Sequence, residues 1–165
     1  MPDAIELGLD TFGDVTVSPD GTLISQAQAL RHVVEEAVLA ESVGVDCFGV
    51  GEHHRADFAI SAPEVVLAAI AGKTTKMTLG SAVTVLSTDD PVRVFQRFST
   101  LNALSNGRAE VILGRGSFTE SYSLFGYDLS QYEELFETKL ARFVGLLQGA
   151  QVVYPPVEMG TLRTW

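Results

Sequence analysis

Short runs of apolar residues alternate along the chain with longer segments in which apolar residues recur every three or four positions. Runs of the first kind are typical of strands in a parallel sheet, and spacing of the second kind is typical of amphipathic helices. The pattern predicts strands at residues 5–11, 45–50, 77–86 and 109–113. It predicts helices at about 25–43, 61–72, 90–106 and 130–148. Strands and helices are therefore expected to alternate from end to end.

Residues that favour helix ends stand at the boundaries of the predicted helices. Pro63 suits the first turn of the second helix, because its missing N–H is not needed there. Asp90 can cap the third helix, and the Asn-Gly pair at 106–107 can end it. Ser130 and Glu133 form a capping-box pattern that predicts the start of the fourth helix.

The order βαβαβαβα predicts an α/β fold in which right-handed crossovers connect the strands of a parallel sheet. Four βα units are half of a TIM-type (β/α) barrel, so we expect a half-barrel that forms one domain over residues 1–165. A four-stranded sheet of this kind has two open edges and a near-continuous apolar inner face. The sequence therefore predicts a module that self-associates, pairs with a complementary half or aggregates.

The charge balance narrows the range of partners. The 165 residues include 11 Lys and Arg against 21 Asp and Glu, for a formal charge of −10. This balance argues against nucleic acid or an anionic membrane surface as a partner, because both require clustered cations. A single cysteine, Cys47, cannot form an internal disulfide, and the apolar run around 65–71 is too short to span a bilayer. We expect a soluble, cytoplasmic protein with a small-molecule substrate.

Polar residues follow the predicted strands, whose carboxyl ends meet at one face of a parallel fold. Glu52, His53 and His54 come directly after the second strand. An imidazole that titrates near neutral pH can carry protons to or from a reacting group, so the histidines are catalytic candidates. The alternative is that one ring bonds a loop carbonyl while the other faces water. A metal site is less favoured, because adjacent side chains point in different directions and no further ligand cluster is evident.

The segment from Gly114 to Ser117 follows the fourth strand and places an arginine between two glycines. A guanidinium fork, a flexible backbone and a hydroxyl together suit a phosphate group. The alternative is a simple turn in which Arg115 pairs with a carboxylate such as Glu120.

From the residues alone, Ala82 and Val83 in the third strand are interpreted as core.

Several stretches in this order resemble the luciferase-like monooxygenases, a superfamily of flavin- or deazaflavin-dependent (β/α)₈ barrels. They are GLDTFG in the first strand, FGVGEHH after the second, LGSAVTVLSTDDPVRVFQ through the third, and LSNGRAEVILGRGSFTES with LFGYD around the fourth. The likeness extends from Ile5 to about Leu147 and is nearest to the bacterial FMN-type oxidoreductases. It implies that the chain is the N-terminal half of such a barrel, with a fifth strand near Leu162 to Trp165.

The resemblance also implies roles for individual residues. The first histidine of Glu-His-His is the one implicated in catalysis in this family, which points to His53. The peptide between Ala82 and Val83 is expected to be cis and to form a bulge against the flavin ring, and Arg115 is expected to hold the phosphate. The cofactor-binding residues that the likeness implies are Glu52, Ala82, Val83, Thr84, Arg115, Gly116 and Ser117.

The function implied by the resemblance is that of a flavin-dependent monooxygenase, in which reduced FMN activates oxygen and a small organic substrate is oxidised. A flavin reductase would be a partner of such an enzyme. A deazaflavin (F420) enzyme that transfers hydride is an alternative, because the same barrel accepts that cofactor. A further alternative is a non-catalytic half-barrel that binds flavin or serves oligomerisation.

Overall fold

The computed structural model describes residues 5–149 and the backbone of Arg163–Thr164. The strands are β1 (Gly8–Thr11), β2 (Cys47–Val50), β3 (Thr78–Val85), β4 (Ala109–Gly114) and β5 (Arg163–Thr164). The helices are α1 (Gln26–Ser42), α2 (Pro63–Ala71), α3 (Pro91–Leu104), α4 (Glu120–Phe125) and α5 (Tyr132–Leu147). Single 3₁₀ turns at Leu86–Thr88 and Leu129–Gln131 precede α3 and α5. None of the described helices is long and apolar enough to cross a bilayer.

All strands run parallel in the order β1-β2-β3-β4-β5, and each strand pairs with the next one along the chain. Every crossover therefore moves one strand along the sheet in the same direction, as in a TIM barrel. The strand β5 pairs with Glu110 and Val111 of β4, which confirms the fifth strand expected near this end of the sequence. The observed architecture is thus the predicted one, a parallel α/β half-barrel.

The helices cover one face of the sheet and form the hydrophobic core with it. Alternate strand residues point to this side and are almost completely buried, among them Phe48, Val50, Leu79 and Val111. Each long helix contributes an apolar stripe, represented by Val33 of α1, Leu67 of α2, Phe98 of α3 and Phe143 of α5. Burial of these two sets against each other is the main source of stability in the described part of the chain.

Local sequence signals set several helix ends as predicted. The carboxylate of Asp90 accepts two N–H groups of the first turn of α3, at 2.8 and 3.0 Å. Pro63 occupies the first turn of α2. Past the end of α3, Asn106 and Gly107 both have positive φ, a conformation that asparagine and glycine tolerate best.

Other boundaries differ from those predicted. The strand β1 begins at Gly8 rather than at residue 5, and β2 begins at Cys47 rather than at residue 45. The capping box expected from Ser130 and Glu133 is not formed, so this prediction was wrong. Instead the carboxylate of Asp128 accepts the N–H of Ser130 at 2.8 Å, and the 3₁₀ turn that it caps leads directly into α5.

The face of the sheet turned away from the helices is less apolar than predicted. Its residues are Gly8, Asp10, Cys47, Gly49, Thr78, Gly80, Ala82, Glu110 and Ile112. Most of them are small or polar, so the expectation of a near-continuous apolar inner face was wrong. The reason is the two-residue period of a strand, which places most of the large apolar residues on the helix side.

The outer side of β1 is an apolar surface that the described helices leave uncovered. Ile5, Leu7 and Leu9 alternate along this segment and are 86, 61 and 53 % exposed. Leu9 is in register with the buried Phe48 of β2, so it lies on the helix side of the sheet. Among the described residues, no strand pairs with the far edge of β1. This edge is therefore where another element can add to the fold.

Glu41 joins α1 to the turn before β3. Its carboxylate accepts the backbone N–H groups of Thr75, Lys76 and Met77 at 2.8 to 3.0 Å. Burial by itself raises the pKa of Glu41, but these donors and the charge of Arg108 outweigh burial and lower the pKa to about 2. The ionised carboxylate therefore stabilises this turn.

We expect Glu41→Gln to lower the free energy of unfolding by about 1–3 kcal/mol at neutral pH, because a charged acceptor is lost. Since the folded-state pKa lies below the ordinary value of 4.5, the contribution of the carboxylate is complete above 4.5 and is lost as the pH falls toward 2. Urea unfolding of both proteins at several pH values measures the difference. A difference that stays constant down to the acid limit would show that the charge of Glu41 is unimportant.

Candidate active site

A cavity of about 210 Å³ lies at the carboxyl ends of β2, β3 and β4. Its lining brings together segments that are far apart in the sequence. The lining residues are Phe12, Glu52, His53, His54, Ala82, Val83, Val85, Gly116, Ser117, Phe118, Glu120 and Ser121. Most of the site residues expected from the sequence lie here, whereas Thr84 and Arg115 are not part of the lining.

The strand β3 is irregular where it meets the cavity. The peptide between Ala82 and Val83 is cis, as the family resemblance implies, and the register with β4 shifts just after Ala82. The backbone N–H of Glu52 donates to the carbonyl of Val83 at 3.2 Å. A Cβ atom at Gly51 would lie 3.0 Å from the carbonyl oxygen of Ala82 and 2.2 Å from the ring of Phe12. Only glycine fits at position 51, because the ring of Phe12 and the carbonyl group of Ala82 both lie so close there.

Glu52 ties the end of β2 to the end of β3. Its Oε2 accepts the N–H of Val85 at 2.9 Å, and its Oε1 lies 2.8 Å from Nε2 of His54. The side chains of Glu52 and His54 are only 8 and 9 % exposed, so the sequence-based alternative of a histidine facing water does not hold for His54. Because both carboxylate oxygens are engaged, Glu52 orients His54 and the strand end.

His53 is enclosed by aromatic rings. The centroid of its ring lies 4.7 Å from that of Phe12, 4.6 Å from Phe58 and 4.9 Å from Phe118. Its backbone N–H donates to the carbonyl of Ile60 at 2.8 Å, but its ring nitrogens form no hydrogen bond with any described residue. Burial, the largest influence, lowers the pKa of His53 below the ordinary 6.5. The imidazole is therefore neutral at pH 7 and can accept a proton.

The short helix α4 closes one side of the cavity, and the pattern of apolar residues did not predict it. Its six residues are too few for helical periodicity to show. Gly126, which follows in the left-handed region, was the available signal of a helix end. The helix brings Ser121 to the lining, and the ring of Phe125 lies edge-on to His54 with centroids 5.0 Å apart. The hydroxyl of Ser121 is buried without a hydrogen-bond partner in the described part of the chain.

The strands beside the cavity leave little room for additional atoms. Thr84 is fully buried, and its hydroxyl has no hydrogen-bond partner among the described residues. A Cβ atom at Gly114 of β4 would lie 2.5 Å from Cγ2 of Val83. The side chain of Val83 thus fills the space beside this glycine.

We expect Gly114→Ala to lower the free energy of unfolding by about 1–3 kcal/mol, because an added methyl overpacks a filled site. The double variant Gly114→Ala/Val83→Ala should lose less than the two single variants added together, since the clash is then removed. Denaturant unfolding of the wild type, both single variants and the double variant completes the cycle. Strictly additive losses would show that the alanine methyl does not meet Val83.

Arg115 turns toward α5. Its guanidinium carbon lies 5.0 Å from the ring centroid of Phe136, and its Nε lies 3.2 Å from Oε2 of Glu133. The partner suggested by the sequence, Glu120, was therefore wrong, although a carboxylate does pair with Arg115. Both side chains of the ion pair are exposed, at 44 and 64 %, so the pair contributes little stability. The two residues that follow Arg115 line the cavity.

A second cavity, of about 200 Å³, lies beside Glu52 and His54. Arg97 bridges Glu64 and Asp89 at its wall. Burial raises the pKa of Glu64, and the charge of Arg97 opposes this rise. In the described part of the chain, no group of three or more His, Cys, Asp or Glu side chains could hold a metal ion.

The parallel βα units and the cavity at the carboxyl ends of the strands define a protein of the (β/α)-barrel class, in which sites form at this face. Residues 11–158 match the family model described as luciferase-like monooxygenase. The chain therefore belongs to the luciferase-like monooxygenase family.

The related sequences are longer than this chain, and the chain matches about a third of each. The alkanal monooxygenase alpha chain of the Kryptophanaron alfredi symbiont is 30% identical over 128 residues, which are 77% of this chain and 36% of that protein. The N-acetyl-S-alkylcysteine monooxygenase of Bacillus subtilis (strain 168) is 35% identical over 117 residues, which are 69% of this chain and 35% of that protein. The chain thus spans about a third of the length of these relatives.

Solved structures share the fold over most of the chain. Apo-MsnO8 has a TM-score of 0.82 at 26% identity, over 98% of this chain and 49% of that one. The FMN complex of the oxygenating constituent of 3,6-diketocamphane monooxygenase from Pseudomonas putida has a TM-score of 0.76 at 21% identity, over 87% of this chain and 39% of that one. An F420-dependent secondary alcohol dehydrogenase, in complex with an F420-acetone adduct, has a TM-score of 0.70 at 20% identity, over 95% of this chain and 46% of that one. These likenesses confirm the half-barrel.

Proposed function

We propose that this chain is the cofactor-binding, N-terminal half of a flavin-dependent monooxygenase that uses FMN to oxidise a small organic substrate. One cavity is lined by His53, by Ala82 and Val83, and by Gly116 and Ser117, and this arrangement is the main support for the proposal. Family membership supports an oxidoreductase of monooxygenase type. The FMN complex of the Pseudomonas putida protein, which shares the fold, supports FMN as the cofactor.

The cavity offers what a flavin requires, an apolar wall and free hydrogen-bond donors. Phe12, Ala82 and Val83 supply apolar surface for an aromatic ring system. The backbone N–H groups of Gly116 and Ser117 donate to no described residue, so they can donate hydrogen bonds to acceptor atoms of a ligand. The residues present therefore fit a flavin.

When bound, the flavin would supply the redox chemistry, while the protein orients it and moves protons. His53 is neutral at pH 7, so it accepts a proton at a ring nitrogen in the course of the reaction. Phe12 and Phe58 shield this ring from water. Glu52 holds the end of β3 in place through the N–H of Val85.

Arg115 would bind the phosphate of FMN after giving up its ion pair with Glu133. The exposed ion pair with Glu133 is of a kind that contributes about 0–1 kcal/mol. A charge-assisted pair with a phosphate contributes about 1.5–3 kcal/mol. The phosphate therefore competes successfully with Glu133 for the guanidinium group.

We expect Arg115→Ala to raise the dissociation constant for FMN by about 10- to 100-fold while the fold is kept, because the charge-assisted pair is lost. Glu133→Gln is the matched control: it removes the competing carboxylate and should leave FMN binding unchanged or tighten it by up to about 5-fold. Quenching of FMN fluorescence gives the dissociation constants. Equal values for the wild type and Arg115→Ala would mean that Arg115 is only a turn residue.

Absorption spectra recorded during titration with FMN and with F420 test the proposed function directly. A deazaflavin hydride-transfer enzyme is the second candidate, supported by the fold that the chain shares with the F420-dependent alcohol dehydrogenase. Binding of F420 without binding of FMN would favour this candidate. Binding of neither would leave a non-catalytic half-barrel. If FMN binds, an alkanal is the first substrate probe, because a relative that is 30% identical is named for that class.

A second half that completes the barrel is part of the proposed working unit. The chain covers 39 to 49% of the related structures, and the apolar outer side of β1 lies uncovered at a free strand edge. A further segment of the same protein, a separate complementary chain or a second copy would each cover this surface. A flavin reductase that supplies reduced FMN would be a further partner.

A further inference from the structure

Two tyrosine hydroxyls hold the backbone of the turn that follows β4. The hydroxyl of Tyr122 donates to the carbonyl of Arg115 at 3.0 Å, and the hydroxyl of Tyr132 donates to the carbonyl of Gly116 at 3.2 Å. Tyr122 is 1 % exposed, and the two rings stack with centroids 5.7 Å apart and an interplanar angle of 27°. One ring comes from α4 and the other from the first residue of α5. The two helices thus brace two consecutive carbonyl groups.

These hydrogen bonds set the direction of two peptide groups. In a trans peptide the C=O and N–H groups point in opposite directions, so the N–H of Gly116 points away from Tyr122 and that of Ser117 points away from Tyr132. Neither N–H donates to a described residue, and both residues line the cavity. A Cβ atom at Gly116, where φ is +83°, would lie 2.8 Å from Cγ1 of Val85. The turn is therefore held from both sides.

We propose that Tyr122 and Tyr132 are positioning residues that keep the N–H groups of Gly116 and Ser117 directed at the phosphate of bound FMN. This role rests on the proposed function, since it requires that the turn holds FMN. Successive N–H groups at a turn with a positive φ form a concavity that suits an anion. Phenylalanine at either tyrosine would keep the ring stack but release one carbonyl, so that its peptide group could rotate.

The variants for the test are Tyr122→Phe, Tyr132→Phe and the double variant. Tyr127→Phe is the matched control, because the ring of Tyr127 lies under Nζ of Lys139, at 3.9 Å from its centroid, instead of reaching the turn. Circular dichroism and thermal unfolding of each variant check that the fold is kept. Two measurements then follow on the whole chain, one without cofactor and one with it.

Without cofactor, ¹⁵N relaxation reports the order of the Gly116 and Ser117 amides. We expect order parameters near 0.85 in the wild type and in the control, falling toward about 0.6 in the double variant. With cofactor, dissociation constants are measured for FMN and for riboflavin, which lacks the phosphate. We expect each lost hydroxyl to weaken FMN binding by about 3- to 10-fold and to leave riboflavin binding nearly unchanged.

Three results would overturn this role. Unchanged order parameters in the double variant would show that the hydroxyls do not hold the turn. Equal weakening of FMN and riboflavin would show a general structural effect instead of one directed at the phosphate. A wild-type chain that binds no FMN would overturn the proposed function and this role with it, and that result is distinguishable because it requires no variant.

Discussion

In the complete working unit, replacement of His53 by glutamine is expected to lower kcat for oxidation of the alkanal probe by about 10²- to 10⁴-fold, the range that general acid–base catalysis contributes. The ring of His53 lines the cavity, is neutral at pH 7 and forms no hydrogen bond with a described residue. Its ring nitrogens are therefore available to accept the proton that is transferred in the reaction. Because His53 is not placed at the phosphate, the dissociation constant for FMN should hardly change.

The control for this prediction is His32→Gln, since His32 lies on α1 and does not line the cavity. The pH dependence gives a second check. Burial lowers the pKa of His53, so kcat/KM should remain high as the pH falls to 6.5 and decrease only below it, when the ring becomes protonated. An NMR titration of the His53 ring measures the same pKa without a substrate. A loss of activity below about tenfold in His53→Gln would contradict the proposed role, and a pKa above 6.5 would contradict the effect of burial.

The chain by itself is expected to be associated at micromolar concentration, because the outer side of β1 exposes Ile5, Leu7 and Leu9. Covering each of these side chains contributes roughly 1–2 kcal/mol, and the free strand edge adds hydrogen bonds to a partner. Leu7→Ser together with Leu9→Ser should therefore weaken association by roughly 30- to 1,000-fold. Sedimentation velocity over a range of concentrations measures the change.

Leu104→Ser is the matched control for this prediction. Leu104 is 64 % exposed, similar to Leu7, but it lies at the end of α3 instead of at β1. If this control weakens association as much as the β1 variant does, the contact lies among the helices. A compact wild-type monomer with full activity at every concentration would show that the half-barrel needs no further element.

The sequence alone determined the order of strands and helices. The two-residue and 3.6-residue periods of burial are local properties, so they are visible before any tertiary contact is known. The same is true of Pro63 and Asp90, whose effect is limited to the first turn of a helix. The helix α4 was missed because the prediction relied on apolar periodicity, and six residues are too few to show a period.

The order of the short motifs identified the family and the cis peptide at Ala82, since both follow from comparison with known sequences. Periodicity by itself assigned Ala82 and Val83 to the core, and nothing in their composition indicates that they line a cavity. The mistaken apolar inner face has a related cause. The runs in β2 and β3 are apolar on average, but their glycines all fall on one side of the sheet.

Only the tertiary structure decided which groups the site residues contact. Arg115 pairs with Glu133 instead of Glu120, which is nearer in the sequence. The carboxylate of Glu52 accepts the N–H of Val85, a residue 33 positions away. The tyrosine hydroxyls that brace the turn after β4 likewise belong to two different helices, and their rings stack on each other. Such contacts depend on strand register and on how helices pack, and these are set by the sum of many weak interactions across the whole fold. No local stretch of sequence contains that information.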